Sequence, residues 1–192
     1  MAAKKKLASN FANMLVVLTV VSLVSALALA FTFTATREAR ELAKVKKTLA
    51  ALEKVLPPFN NQPNDEKYNP QGDNQLEFYP AKKDGQAVGT AVKTYTDNGF
   101  GERIWLMVGF AVDKKILNIS VLEQKETPGL GTKMEKPKFK DQFKQKDPAL
   151  FKLKVKKDGG DVDAISAATI SSRAFCEAVE KAYKALAKGG EQ

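Results

Sequence analysis

The chain has 192 residues, 31 Lys and Arg against 22 Asp and Glu, no histidine and one cysteine. That composition excludes an internal disulfide, cysteine-built metal sites and any histidine ligand or general base, so redox chemistry here would need an organic cofactor. The net charge of +9 reads as a solvated surface: the lysines are scattered and alternate with acids, as in Lys133–Lys146, and do not make the aromatic-interleaved footprint of a nucleic-acid binder.

No charged residue stands between Lys6 and Arg37. Within that stretch Met14–Phe33 supplies an apolar run long enough to cross a hydrocarbon core of about 30 Å. The competing reading is a cleaved signal peptide, with Lys4–Lys6 as its basic region and Ala26-Leu27-Ala28 or Ala28-Leu29-Ala30 at its end. Its apolar part is longer than the roughly 7–15 residues usual there. Lys4–Lys6 favour a cytoplasmic N-terminus, but Arg37, Arg40, Lys44, Lys46 and Lys47 crowd the other end, and charge alone does not set the orientation. The expected parts are a short cytoplasmic N-terminus over 1–13, a membrane helix over 14–33, a linker helix over 34–58 and one further domain over 59–192.

From Thr36 to Leu56, apolar residues recur at Leu42, Val45, Leu49, Leu52 and Leu56, a helical spacing. The helix continues without a capping box and stops at Pro57-Pro58. Asn60–Asn74 reads as a loop. Strands are expected at Leu76–Pro80, Ala87–Thr96, Ile104–Val112 and Ile116–Glu123, with turns at Asp84-Gly85, Asp97-Asn98-Gly99 and Asp113-Lys114-Lys115. A Gly/Pro/Thr loop covers Thr127–Thr132. A short helix over Pro137–Lys144 and a strand over Phe151–Val155 then lead to a Gly159-Gly160 turn. The last helix, Ile170–Lys188, puts Phe175, Ala178, Val179, Ala182 and Leu186 on one face. Trp105 and Phe110 read as core, and Cys176, beside that apolar face, as packing. The order of elements predicts an α+β domain with a mainly antiparallel sheet and flanking helices, and no dinucleotide or P-loop pattern is present.

Asp163-Ala164-Ile165-Ser166-Ala167-Ala168-Thr169 lies where a loop becomes the last helix, and a helix start presents free N–H groups and the positive end of the dipole. A plain Ser/Thr helix start satisfies the same pattern. The segment resembles the D-x-x-[ST]-G-A-T signature at which a flavin transferase attaches FMN to threonine through a phosphoester. Glu126-Thr127-Pro128-Gly129-Leu130-Gly131 resembles the ETPGLG loop of the same family, Gly99-Phe100-Gly101 its G-[FY]-G segment, and Val55-Leu56-Pro57 fits as well. Together these resemble the G subunit of the Rnf electron-transport complex, with a related FMN-binding domain in the C subunit of the Na⁺-pumping NADH:quinone reductase. The short chain is more like the former. In this chain Ala167 replaces the usual glycine, and Glu102 stands where a small residue is common.

The resemblance implies FMN esterified to Thr169. Asp163 would fix the turn or be read by the transferase, Ser166 would donate to a phosphate oxygen, and Ala167 and Ala168 would let the group approach. Glu126, Thr127, Gly129, Leu130, Gly131, Thr132 and Lys133 would wrap the isoalloxazine or ribityl chain. Lys133 is placed near the flavin N1–O2 edge, or else in solvent. Phe100, between Gly99 and Gly101, either stacks near the flavin or packs in the core. The implied setting is a single-pass subunit of the bacterial inner membrane with its FMN domain on the periplasmic side. It would relay electrons among other Rnf subunits in exchange between ferredoxin and NAD, coupled to Na⁺ or H⁺ movement, with membrane lipid and the transferase as further partners. A free-standing membrane-anchored flavin reductase and a non-flavin binding module are the rival readings.

Overall fold

The computed structural model describes residues 10–70 and 73–189, so the basic Lys4–Lys6 segment, two residues of the Asn60–Asn74 loop and the last three residues lie outside it. Two compact units divide between Lys46 and Lys47. The N-terminal unit is built on α1 (Phe11–Ala35), 25 residues without a charged side chain. At 1.5 Å per residue it is roughly 37 Å long, enough in length and composition for a membrane span. Its threonines satisfy themselves within the helix: Thr19 donates to the Leu15 carbonyl at 2.9 Å and Thr32 to the Ala28 carbonyl at 2.8 Å. After a break at Thr36 the chain resumes as α2 (Arg37–Val55), and Arg40 reaches back to the Phe33 carbonyl at 2.6 Å.

The second unit holds a four-stranded antiparallel sheet in the order β1-β2-β3-β4, formed by Glu77–Lys83, Gln86–Thr96, Ile104–Phe110 and Ile116–Glu123. It is an α+β domain. Alternation along the strands sends Phe78, Val92, Leu106, Val108 and Ile119 into one core with α4 (Thr169–Gly189), whose Phe175, Ala178, Val179 and Ala182 answer them. Thr94 on this face satisfies its hydroxyl by donating to the Ala178 carbonyl at 3.0 Å. The opposite face sends Tyr79, Ala91 and Met107 against Ala51, Leu52, Val55 and Leu56 at the end of α2. Gly109 permits this approach, because a Cβ there would overlap the Val55 carbonyl. Asn118 of β4 then caps the helix end, donating to the Lys54 carbonyl at 2.8 Å. Only the last turns of the predicted apolar stripe are buried; Leu42, Val45 and Leu49 are exposed.

Three elements differ most from expectation. Strand β1 runs past Pro80 to Lys83, since it is an edge strand and a missing N–H costs no ladder bond on the outer side. That edge is covered by the preceding loop, where Asn60 donates to the Lys82 carbonyl and Asn61 to that of Pro80. The expected Pro137–Lys144 helix is α3 (Pro137–Lys140) followed by a 3₁₀ turn at Asp141–Phe143. The expected strand Phe151–Val155 does not form. Leu153 and Val155 are buried and their neighbours exposed, which is the alternation of a strand, but the backbone bonds locally to Asp161 and Val162 and makes one isolated bridge.

Phe110 is fully buried and Trp105 packs half-buried on the α2 side. Cys176 is buried against the sheet, and that burial, ahead of nearby Glu180 and Asp158, pushes its thiol up to about 12. Since the thiolate is the reactive form, Cys176 is expected to resist thiol reagents at pH 8 in the folded chain and to react promptly in guanidinium. Time courses with a chromogenic disulfide in the two conditions measure this.

Candidate functional site

The loop that enters α4 is a tight turn. Ala168 donates its backbone N–H to the Ile165 carbonyl at 3.0 Å, and Ala167 between them has φ of +60°. A positive φ at the third position is what a type II turn requires, and glycine meets it at least cost. Ser172 locks the turn from within the helix: its Oγ accepts from the Ile165 N–H at 2.9 Å and donates to the Ala168 carbonyl at 2.9 Å. The turn ends with Thr169 half-buried as the first residue of α4. Its hydroxyl makes no hydrogen bond to another described residue, and the first helical N–H groups, from Thr169 to Ser171, have no intrahelical acceptor.

Left-handed alanine costs about 1–2 kcal/mol, against about 0.5–1 kcal/mol of extra chain entropy lost by glycine. Ala167→Gly is therefore expected to stabilise the fold by roughly 0.5–1 kcal/mol, read as a higher urea midpoint of the unloaded chain at unchanged m-value.

Thr169 opens on a pocket of about 350 Å³ whose apolar lining includes Phe100, Leu130, Ala167, Ala168 and Ile170. Phe100 is 65% exposed, so its ring belongs to this pocket wall and not to the core. Behind the wall stands Glu126, only 4% exposed. Its carboxyl accepts from the Gly101 N–H at 3.2 Å through Oε1 and from the Ser171 hydroxyl through Oε2. One buried side chain thus ties three segments together: the Gly99–Gly101 loop, the 126–131 loop and the first turn of α4. The glycines make room for it. A Cβ on Gly131 would stand 2.6 Å from Ser171 Oγ and one on Gly99 2.8 Å from Glu126 Oε1, while one on Gly101 would overlap the Lys125 carbonyl. Glu102, the departure from the family pattern, points outward and pairs with Lys125 at 2.6 Å.

The structure divides the predicted cradle. Glu126, Thr127, Leu130, Gly131, Ala167, Ala168, Thr169 and Phe100 line the first pocket. Asp163, Ser166 and Lys133 line a neighbouring cleft of about 610 Å³. Gly99, Gly101, Gly129 and Thr132 line neither; Gly129 turns with φ of +76°, its N–H donating to Thr132 Oγ1 at 3.0 Å. The backbone of Asp163 is held by Gln142. Gln142 accepts from its backbone N–H at 2.8 Å and donates to its carbonyl at 3.2 Å, and its carboxylate pairs with Lys156 at 2.8 Å. Ser171, Ser172 and Gln142, which hold the site from behind, are absent from the residues expected on sequence grounds. The serines follow Thr169 by two and three residues in the chain, but a Ser-Ser pair in a helix carries no signal of its own.

The pocket suits FMN: small residues and an open helix start beside the Thr169 hydroxyl, apolar walls for a flat ring, and no charged side chain among the lining residues except buried Glu126. The FMN-binding domain family matches residues 99–184, which include every residue lining this pocket. The G subunit of the ion-translocating oxidoreductase complex of Vibrio cholerae serotype O1 is 32% identical over 183 residues, covering 88% of this chain and 86% of the relative. The chain belongs to that G-subunit family. The corresponding protein of Shewanella amazonensis is 37% identical over 114 residues, 57% of this chain and about half (53%) of that protein's length. Among solved structures, Shewanella oneidensis NqrC aligns with a TM-score of 0.47 at 23% identity, covering 61% of this chain and 63% of that one.

Proposed function

We propose that the chain is the membrane-anchored flavoprotein subunit of an Rnf-type ferredoxin:NAD oxidoreductase, relaying electrons through an FMN bound by a phosphoester to Thr169. The complex couples this relay to Na⁺ or H⁺ translocation. The observation that carries the reading is Thr169, at the first turn of α4 and the mouth of an apolar pocket, in a chain of the G-subunit family. FMN supplies electron transfer in one- or two-electron steps. The chain's own residues hold it. Thr169 Oγ would be the ester oxygen, the free N–H groups of the first turn would hold the phosphate, Ser166 would donate to it from the neighbouring cleft, and Phe100, Leu130 and Ile170 would flank the ring. Glu126 keeps these walls in register. Covalent attachment suits a carrier outside the cytoplasm, where no FMN pool would replace a lost cofactor.

Residues 14–33 form the span and 34–58 the link to the FMN domain, which stands on the periplasmic face of the bacterial inner membrane. A flavin transferase loads the cofactor, and the other complex subunits and membrane lipid complete the surroundings. Purification of the tagged chain from native membranes tests this. Other membrane subunits are expected to accompany it, and its band is expected to fluoresce as a flavin after denaturing electrophoresis. A colourless chain that purifies alone contradicts it.

A further inference from the structure

Between Lys133 and Lys157 stand ten lysines against three acidic residues, Glu135, Asp141 and Asp147. Folding gathers part of this charge at the cofactor loop. Lys133, Lys136 and Lys138 line the 610 Å³ cleft, whose apolar lining includes Phe139, Ala164 and Ile165 and whose wall is the Asp163–Ser166 turn. Lys156 joins them through its pair with Asp163. Several lysines elsewhere in the domain are matched with acids, as in Lys82 with Glu66, Lys93 with Glu77, Lys115 with Asp113 and Lys125 with Glu102. Lys133, Lys136 and Lys138 are exposed and make no ion pair with a described residue. Like charges gathered without partners raise the energy of the folded chain, and the cluster recovers that energy when a negative surface docks.

We propose that this lysine rim is the docking face for the acidic surface of the redox protein with which the flavin exchanges electrons. The inference rests on the proposed function. Electron exchange requires the partner's redox centre close to the cofactor, and the rim shares the Asp163–Thr169 loop with the pocket at Thr169. Electron-transfer contacts are small and held by complementary charge, which fits a concave basic rim with a modest apolar floor. An anionic lipid surface would also attract lysines, but seated here it would bar the partner from the flavin.

The test compares lysine acetylation in the complex purified from its host with that in the full-length chain alone, in nanodiscs of phosphatidylcholine. Lys133, Lys136, Lys138 and Lys156 are expected to lose labelling in the complex, while Lys83 and Lys114 label equally in both. A zero-length carbodiimide cross-linker is expected to join rim lysines to aspartates or glutamates of another subunit. Lys136→Glu with Lys138→Glu is expected to abolish those cross-links and leave FMN bound, read by intact mass. Equal labelling in both preparations overturns the proposal. So does the same protection of the isolated chain in nanodiscs containing phosphatidylglycerol, which assigns the rim to lipid headgroups. A chain without FMN whose rim is still protected and cross-linked contradicts the flavoprotein reading and leaves the docking face standing.

Discussion

Thr169→Ala is expected to abolish covalent flavin while leaving the fold intact. The substitution removes the one oxygen to which the ester is assigned and nothing that holds the turn. Thr169 is half-buried, and its side chain makes no hydrogen bond to another described residue. The locks on either side of it, Ser172 on Ile165 and Glu126 on Ser171, do not involve it. Alanine is also a good helix former, so a change in stability below about 1 kcal/mol is expected. Flavin fluorescence in a denaturing gel should fall to background, and the thermal transition of the unloaded protein should not move by more than a few degrees. Thr169→Ser keeps a hydroxyl on the same backbone position and should restore attachment in part. Ser166→Ala is the control for a neighbouring hydroxyl: it should retain the covalent flavin.

Glu126→Ala is expected to be the most damaging single change to the architecture of the site. It strips the acceptor from the Gly101 N–H and the Ser171 hydroxyl, and leaves a void where three chain segments meet. The orphaned Ser171 hydroxyl is buried and costs about 1–3 kcal/mol, the Gly101 N–H lies on an exposed residue and can turn to water, and the void adds to the first, so a loss of about 2–4 kcal/mol is expected. Glu126→Gln should cost much less, because an amide oxygen still accepts from Gly101 and the amide N–H₂ offers Ser171 a donor in place of an acceptor. Urea unfolding of the full-length chain in detergent measures both. Because Glu126 holds the pocket walls, the alanine variant should also take up flavin poorly. Stability equal to wild type would refute the role given to Glu126.

Much of this was legible in the sequence. The period of α4 and the alternation of the four strands are dictated by burial, and burial is what apolar spacing records. Turn residues between the strands marked the meander. The loops around the site were legible as motifs, but their physics was not. Gly131 read as a glycine in a loop that wraps the cofactor, yet a Cβ there would first meet Glu126 and its partner Ser171, contacts that no local pattern records. Phe151–Val155 shows the limit from the other side. Alternating burial also arises where a segment lies along the core with its backbone bonded to a nearby turn, and no one-dimensional pattern separates the two cases. At Ala167 the sequence carried the question and the structure the answer: the position is left-handed, and this chain accepts alanine there because Ser172 clamps the turn.

The most direct test is the mass of the wild-type chain itself, purified from its own host in cells shown to contain the flavin transferase, followed by fragmentation of the peptide spanning Asp163–Arg173. The account predicts a gain of one FMN less one water, confined to Thr169. An unmodified mass, or the same gain placed on Ser166 or any other residue, would contradict it.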